Sequence, residues 1–380
     1  MRSWQRVAFA MFTVGWGANQ FTPILIAYRD ELDMSVQTRA FLFGVYAAGL
    51  VPALLVGGAA SDRWGRRAVV LPFVALSPLA SVLLVLEHDS TTGLAVARLL
   101  AGACSGVVFS AATAWVAEVS DSGSGPRRAA IALSAGFGAG PLAAGLTAQW
   151  APRPLETPYL PHVVIGALAI VLLWPVGGPR PDRVVPRSLL HLPAVTRGRR
   201  FLGVVAPSAP WVFGCAALSI AYLPGELEGE QPGALAFAGV LAGVTLGCGV
   251  LVQGAARRLD ERRPLLAGQV GLVVALGGGS IGVLALATDV RWFVLLGAPL
   301  LGAGYGCVLV SGLRETERRA DPAERGATVA VFYAITYLGF ALPYVLGAIG
   351  GDIPALLVAL AVMALSLATV SVAGRPRATQ

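Results

Sequence analysis

The sequence contains no lysine: all 28 of its basic residues are arginine. Charge of either sign is scarce, 13% of 380 residues, roughly half of what a soluble globular chain carries. With 56% hydrophobic residues and a mean hydropathy of +0.71, water is excluded as the only solvent. There are four cysteines, Cys104, Cys215, Cys248 and Cys307, each inside an apolar run and none at metal-ligand spacing from another. This excludes a disulfide framework and leaves them as small apolar fillers. The three histidines, His88, His162 and His191, are far apart in sequence and read as surface residues in or beside loops, so no metal site is expected. No aspartate or glutamate falls in the middle of an apolar run. A P-loop and any catalytic constellation are also missing, which excludes an ATP-driven pump and an enzyme, and no cofactor is implied. Arginine without lysine fits a GC-rich, bacterial coding sequence.

What the chain does have is apolar runs of about twenty residues, the length that crosses a bilayer as a helix. Twelve are expected, at roughly 7–28, 40–60, 68–87, 93–118, 129–150, 160–176, 201–223, 233–254, 265–287, 292–313, 326–349 and 354–373. The start, "MRSWQR" and an apolar run, lacks a small-residue cleavage pattern and reads as a retained first helix. The arginines sit in short segments between runs and form no stripe, which argues against nucleic acid despite a pI of 9.7. Placing the N-terminus inside puts 23 arginines in inner segments and 4 in outer loops, with Arg98 inside a helix. Acidic residues divide 10 inside and 11 outside. This is the positive-inside pattern of an inner-membrane protein with both termini cytoplasmic.

The segment 177–200, rich in proline and arginine, separates a first half, 1–176, from a second, 201–380. A faint repeat joins the halves. "GACSGVVFS" at 102–110 aligns with "GAGYGCVLV" at 302–310, and the same offset of 200 carries Asp121 onto Asp321. The expected fold is an all-α integral membrane protein, twelve transmembrane helices in two pseudo-symmetric six-helix bundles.

Between helices 2 and 3 stands "GAASDRWGRRAVV", Gly58 to Val70. Gly58, Asp62, Arg63, Gly65, Arg66 and Arg67 match position by position the signature G-x-L-a-D-r-x-G-r-k, with Ala60 in place of leucine, and the stretch resembles that of the major facilitator superfamily. An orientation-setting basic loop explains the arginines but not the aspartate and glycines. Gly58 is expected to let two helices approach, Gly65 to permit a tight turn, and Asp62 to accept hydrogen bonds from a helix N-terminus. The resemblance implies that this N-terminus is helix 11's. Arg66 needs an anion, for which Glu118 is the first candidate and Asp121 the second; together they would form a breakable inner gate. A decayed copy, "GAARRLDERR", places Arg258 where the aspartate belongs and Glu261 where the second glycine belongs.

"RLLAGACSG" in helix 4 resembles the family's motif with a coupling arginine, here Arg98. It lies about 10 Å from the outer end of its helix and is expected to face inward with a partner, Asp30 or Glu31 being candidates, or else to snorkel outward. "GFGAGPLAAG" in helix 5 carries Gly136, Gly140, Pro141 and Gly145 and resembles the antiporter signature of the drug-efflux branch; ordinary small-residue packing is the alternative. The resemblance implies a cavity lined by helices 1, 4, 7 and 10. Trp16, Asn19, Gln20 and Pro23 share a face of helix 1. Ser105, Phe109 and Thr113 come from helix 4, Ser208, Trp211, Cys215 and Tyr222 from helix 7, and Tyr305 from helix 10. Helix 11 adds Tyr333, Tyr337, Phe340 and Tyr344. Such a lining suits an amphipathic organic ligand, while Trp4, Tyr28, Trp150 and Trp174 at helix ends read as interfacial anchors.

The resemblance implies a monomeric secondary transporter in a bacterial inner membrane, working by alternating access. Its expected activity is proton-coupled efflux of a small drug-like molecule. A proton-coupled nutrient symporter and a non-transporting membrane sensor remain as alternatives.

Overall fold

The computed structural model describes residues 1–120, 124–178, 192–227, 232–321 and 324–374, and among them helix is the only regular structure. Among the described residues, ten helices are long and apolar enough to cross a membrane; Thr157–Leu173 is shorter, and the first helix is divided.

That first helix, α1, runs Ser3–Asn19 and resumes as Phe21–Leu32. Pro23 explains the break. It has no N–H for the Asn19 carbonyl, and its ring crowds that carbonyl, so the chain turns at Gln20. α2 is Val36–Trp64, started by Ser35, whose Oγ accepts from the Thr38 amide (3.2 Å). α3 is Arg66–Leu86, α4 Thr91–Glu118, α5 Gly125–Trp150 and α6 Leu160–Leu173, the last preceded by a 3₁₀ turn at Thr157–Tyr159.

In the second half α7 is Phe201–Glu226, α8 Ala234–Leu251 continued by Gln253–Arg262, α9 Leu266–Thr288, and α10 Arg291–Arg319. α11 is broken into Arg325–Tyr337, a turn Leu338–Ala341, and Leu342–Ala348; α12 is Asp352–Ala373. α7 widens into π turns at Phe201–Val205 and Leu218–Tyr222, close to Pro207, Pro210 and Pro224, each of which removes one helical donor.

The helices outrun their apolar cores. Ser61 to Trp64, expected in a loop, form the last turn of α2, and Arg66 and Arg67 open α3. One residue, Gly65, makes the whole reversal, at φ +93°, a region that residues with a Cβ rarely enter.

The chain divides into two compact units, Met1–His191 with Glu230–Gly243, and Leu192–Gly229 with Val244–Gln380. The first part of α8 therefore groups with the first half. Small residues explain this: a Cβ on Gly145 would lie 2.7 Å from the Gly239 Cα.

Inside each unit, glycines let helices touch backbone to backbone. On α4, Gly102 and Gly106 face α2 at Tyr46, Leu50 and Leu54. On α10, Gly302 and Gly306 face α8 at Thr245, Gly249 and Val252. The offset of 200 read in the sequence thus marks two glycine pairs that do the same packing work in each unit.

Candidate functional site

At one end of the first unit α2, α3 and α4 are tied through Arg66. Its guanidinium pairs with Asp62, donates from Nη2 (2.8 Å) and Nε (3.0 Å) to Glu118 Oε1, and from Nη1 to Ser61 Oγ (2.6 Å). The Ser61 hydroxyl in turn donates to the Gly58 carbonyl (2.8 Å). Arg66 is mostly buried, whereas the Asp62 side chain is 66% exposed, so Asp62 is the partner that water can reach. Asp121, the second candidate, lies outside the described residues.

Arg67 donates to the Trp174 carbonyl (2.9 Å) at the end of α6, where a cation is favoured, and stacks on the Trp174 ring; Arg63 lies over Trp64. Gly58 does not do what was expected of it. A Cβ there meets nothing within 4 Å, and its neighbour Gly57 is the close contact, 2.9 Å from the Val107 Cα on α4.

In the second unit Glu261 of the decayed motif, at the position of Gly65, pairs with Arg314 of α10 (3.6 Å). The aspartate missing at 258 is replaced two residues on. Asp260 is buried, one helical turn beyond buried Ala256, and accepts from the Ala267 amide (2.9 Å) at the start of α9 and from Ser311 (3.3 Å). Glu315 is buried between Arg200 (2.9 Å) and Arg319 (3.4 Å).

Arg98 is 2% exposed and enclosed, so it does not snorkel. Its partners are not carboxylates. It donates to the carbonyls of Leu42 (3.1 Å), Ala18 (3.3 Å) and Phe43 (3.4 Å), and it lies against the rings of Phe21 (4.6 Å) and Tyr46 (4.7 Å). The candidates Asp30 and Glu31 are excluded from it: Asp30 pairs with Arg29 (2.7 Å), and Glu31 is exposed. Both stand near the end of α1, beyond the turn at Gln20. Ala18 immediately precedes that turn, so its carbonyl is within reach of an arginine on α4.

The turn also separates two residues expected on one cavity face. Asn19 ends the first segment of α1, whereas Gln20 is fully buried and donates from Nε2 to Ser81 Oγ (2.7 Å). Behind Ser81 sits His162, 1% exposed, with Nδ1 2.7 Å from Ser81 Oγ and Nε2 3.5 Å from Ser77 Oγ. The expectation that His162 is a surface residue fails because the helical turn begins at Thr157. This puts His162 on the buried face with Gly166, Ala169 and Leu173. His191 lies outside the described residues.

The other cavity candidates divide. Trp16 is half-buried and edge-on to Phe12, and Phe109 packs on Phe137. Ser105 is bonded to the Tyr46 hydroxyl, and Thr113 donates to the Phe109 carbonyl (2.6 Å). Trp211 Nε1 donates to Ser366 (3.0 Å). Tyr28, taken for an anchor, is buried on Tyr159 (3.3 Å between hydroxyls), while Trp150 and Trp174 are exposed. In the second unit the aromatic residues converge on one that sequence reasoning missed. Phe213 stacks on Tyr337 (4.4 Å), Phe340 (5.0 Å) and Tyr305 (5.8 Å), and Tyr333 packs beside Phe332. Phe213 lies between the two π turns of α7 and was hidden in an apolar run.

The glycines of α5 have an identifiable task. A Cβ on Gly136 would lie 2.9 Å from the Trp16 amide nitrogen, and one on Gly140 2.9 Å from the Trp16 carbonyl carbon, so α5 presses on the backbone of α1. Four residues past Pro141, Gly145 meets α8.

Known proteins share both the fold and part of the sequence. Two solved structures cover nearly the whole chain at 13% identity. A nucleoside transporter, NupG (D323A mutant), gives a TM-score of 0.77 over 98% of this chain and 99% of its own. An auto-inhibited POT family peptide transporter gives 0.73 over 99% and 98%. Curated relatives include the multidrug resistance protein MdtL of Escherichia coli O139:H28 (strain E24377A / ETEC) and that of Shigella boydii serotype 18 (strain CDC 3083-94 / BS512). Each is 33% identical over 135 residues, 36% of this chain. The match spans only 31% of the length of those relatives. The model of the Major Facilitator Superfamily matches residues 7–343. With its all-helical fold and paired glycine seams, this multi-pass membrane protein belongs to the Major Facilitator Superfamily of transporters.

Proposed function

We propose that the chain exports an amphipathic organic compound, such as an antibiotic or drug-like metabolite, in exchange for protons by alternating access. It does so as a monomer in a bacterial inner membrane, with both termini on the cytoplasmic side. The observation that carries this reading is the seam of α5. Gly136 and Gly140 are held against α1 by backbone contact, with Pro141 next to them, in the pattern that resembles the antiporter signature. The stretch shared with multidrug resistance proteins supports the same direction, and the stacked aromatic residues around Phe213 suit a flat, partly apolar ligand.

The test is flux in proteoliposomes against a compound panel, with and without an imposed pH gradient. At least one amphipathic compound is expected to accumulate against its gradient only when the pH gradient is present. Insensitivity to the pH gradient overturns proton coupling, and absence of flux under all conditions supports a sensor instead.

In this reading the Arg66 network is the inner gate. Asp62→Asn removes the water-facing arm, and a surface pair of this kind contributes about 0–1 kcal/mol to stability. Membrane abundance is therefore expected to stay at the wild-type level while transport falls at least tenfold. Transport at the wild-type rate would remove Asp62 from the gate.

A further inference from the structure

Three helices of the first unit bring Gln20, Ser77, Ser81 and His162 into one buried polar cluster. Apolar side chains would fill the same space without leaving any polar group unmatched. Here one group is unmatched: Gln20 Oε1 is buried and has no hydrogen-bond partner.

The groups that face His162 are neutral. α1 supplies Gln20 and the Thr13 backbone, α3 supplies Ser77 and Ser81, and the turn before α6 supplies Tyr159, whose hydroxyl is engaged by Tyr28. Arg98 acts electrostatically on Tyr28, Tyr46 and Tyr159, and none of the described carboxylates acts on the imidazole.

The hydrogen bonds have two consistent directions. As they stand, Gln20 Nε2 donates to Ser81 Oγ, and the Ser81 hydroxyl is free to donate to His162 Nδ1. A proton added at Nδ1 reverses the relay. Nδ1–H donates to Ser81 Oγ, the Ser81 hydroxyl donates to Gln20 Oε1 once the amide turns over, and Nε2–H points at Ser77. Both imidazolium donors then face hydroxyl oxygens and the amide oxygen has found its partner, while the amide N–H groups take the place that the oxygen left.

We propose that His162 is the proton-carrying site of this transporter, with Gln20 and Ser81 as the positioning residues that accept its charge. The proposal rests on the proton-exchange reading above, and it answers the lack of any carboxylate in mid-helix: a reorganising neutral relay takes the place of a fixed anion.

The test uses the full chain in nanodiscs, labelled with ¹⁵N-histidine; three imidazoles are assigned by replacing His88, His162 and His191 in turn. The His162 signal is expected to titrate between about pH 5 and 8. Gln20→Leu and Ser81→Ala are each expected to lower its midpoint by about one unit or more, with His88 unmoved. An imidazole that stays neutral to about pH 4.5, or a midpoint indifferent to both substitutions, overturns the proposal. In proteoliposomes, His162→Gln is expected to cut pH-driven accumulation at least tenfold while sparing downhill exchange, and full pH-driven accumulation in that variant overturns it as well. Failure of the functional reading is distinct: wild-type flux then ignores the gradient although the imidazole still titrates.

Discussion

Arg98→Ala and Arg98→Met are expected to differ in stability and to agree in function. Arg98 is among the largest fully buried side chains in the chain. Truncation to alanine leaves a void between α1, α2 and α4 and removes three carbonyl bonds and two ring contacts; large-to-small changes of this kind cost on the order of 3 kcal/mol. Methionine fills most of the space and carries no charge. Desolvating the guanidinium costs several kcal/mol, and its bonds and ring contacts return a similar amount, so removing charge and bonds together is expected to leave stability within about 1 kcal/mol of wild type. Transport is expected to fall at least tenfold in both variants, because the guanidinium ties the Ala18 carbonyl, at the turn of α1, to Leu42 and Phe43 of α2. Thermal unfolding in detergent, paired with flux in proteoliposomes, separates the two effects. A methionine variant with full transport would make Arg98 a space-filler.

Hydropathy carried the fold because a bilayer imposes length on every span. The break in α1 was equally legible, in Pro23, but its consequence was not. A helix continued through residue 20 keeps Asn19 and Gln20 neighbours on one face; the turn separates them and sends Gln20 to Ser81. The reversal at Gly65 was legible in its glycine, whereas a Cβ on Gly58, matched by the same signature, would meet nothing within 4 Å. A signature reports which residue type stands at an offset, and only packing tells which of two adjacent glycines, 57 or 58, faces the next helix.

The buried histidine left a signal that periodicity could have found. Ser77 and Ser81 stand four apart in an otherwise apolar stretch of α3, and His162, Gly166, Ala169 and Leu173 recur at helical spacing in α6. The expected helix 160–176 already held His162, but its place near the start of that run made it read as a surface residue beside a loop. Arg98 was legible as buried, but its partners were not, since main-chain carbonyls have no letter in a sequence. Phe213 had no signal at all: one phenylalanine in an apolar helix is indistinguishable from its neighbours until Tyr305, Tyr337 and Phe340 close around it.

Gly138→Ala and Gly140→Ala, two residues apart on α5, are expected to move stability in opposite directions. A methyl group at 138 meets nothing within 4 Å, so the substitution removes a flexible residue from a helix interior and is expected to gain about 0.5–1 kcal/mol. At 140 the same methyl runs into the backbone of Trp16, which no rotamer change can clear. α1 and α5 must separate, at about 1–3 kcal/mol, and Gly140→Leu is expected to exceed that and to prevent accumulation of folded protein. The displacement would reach α1 at Trp16, four residues before the turn at Gln20, so Gly140→Ala is also expected to lower transport at least tenfold, with Gly138→Ala unaffected. Melting temperature and flux measured on the pair decide the matter. Equal shifts at both positions would mean that α5 and α1 are not in backbone contact, and the close seam between them would have to be abandoned.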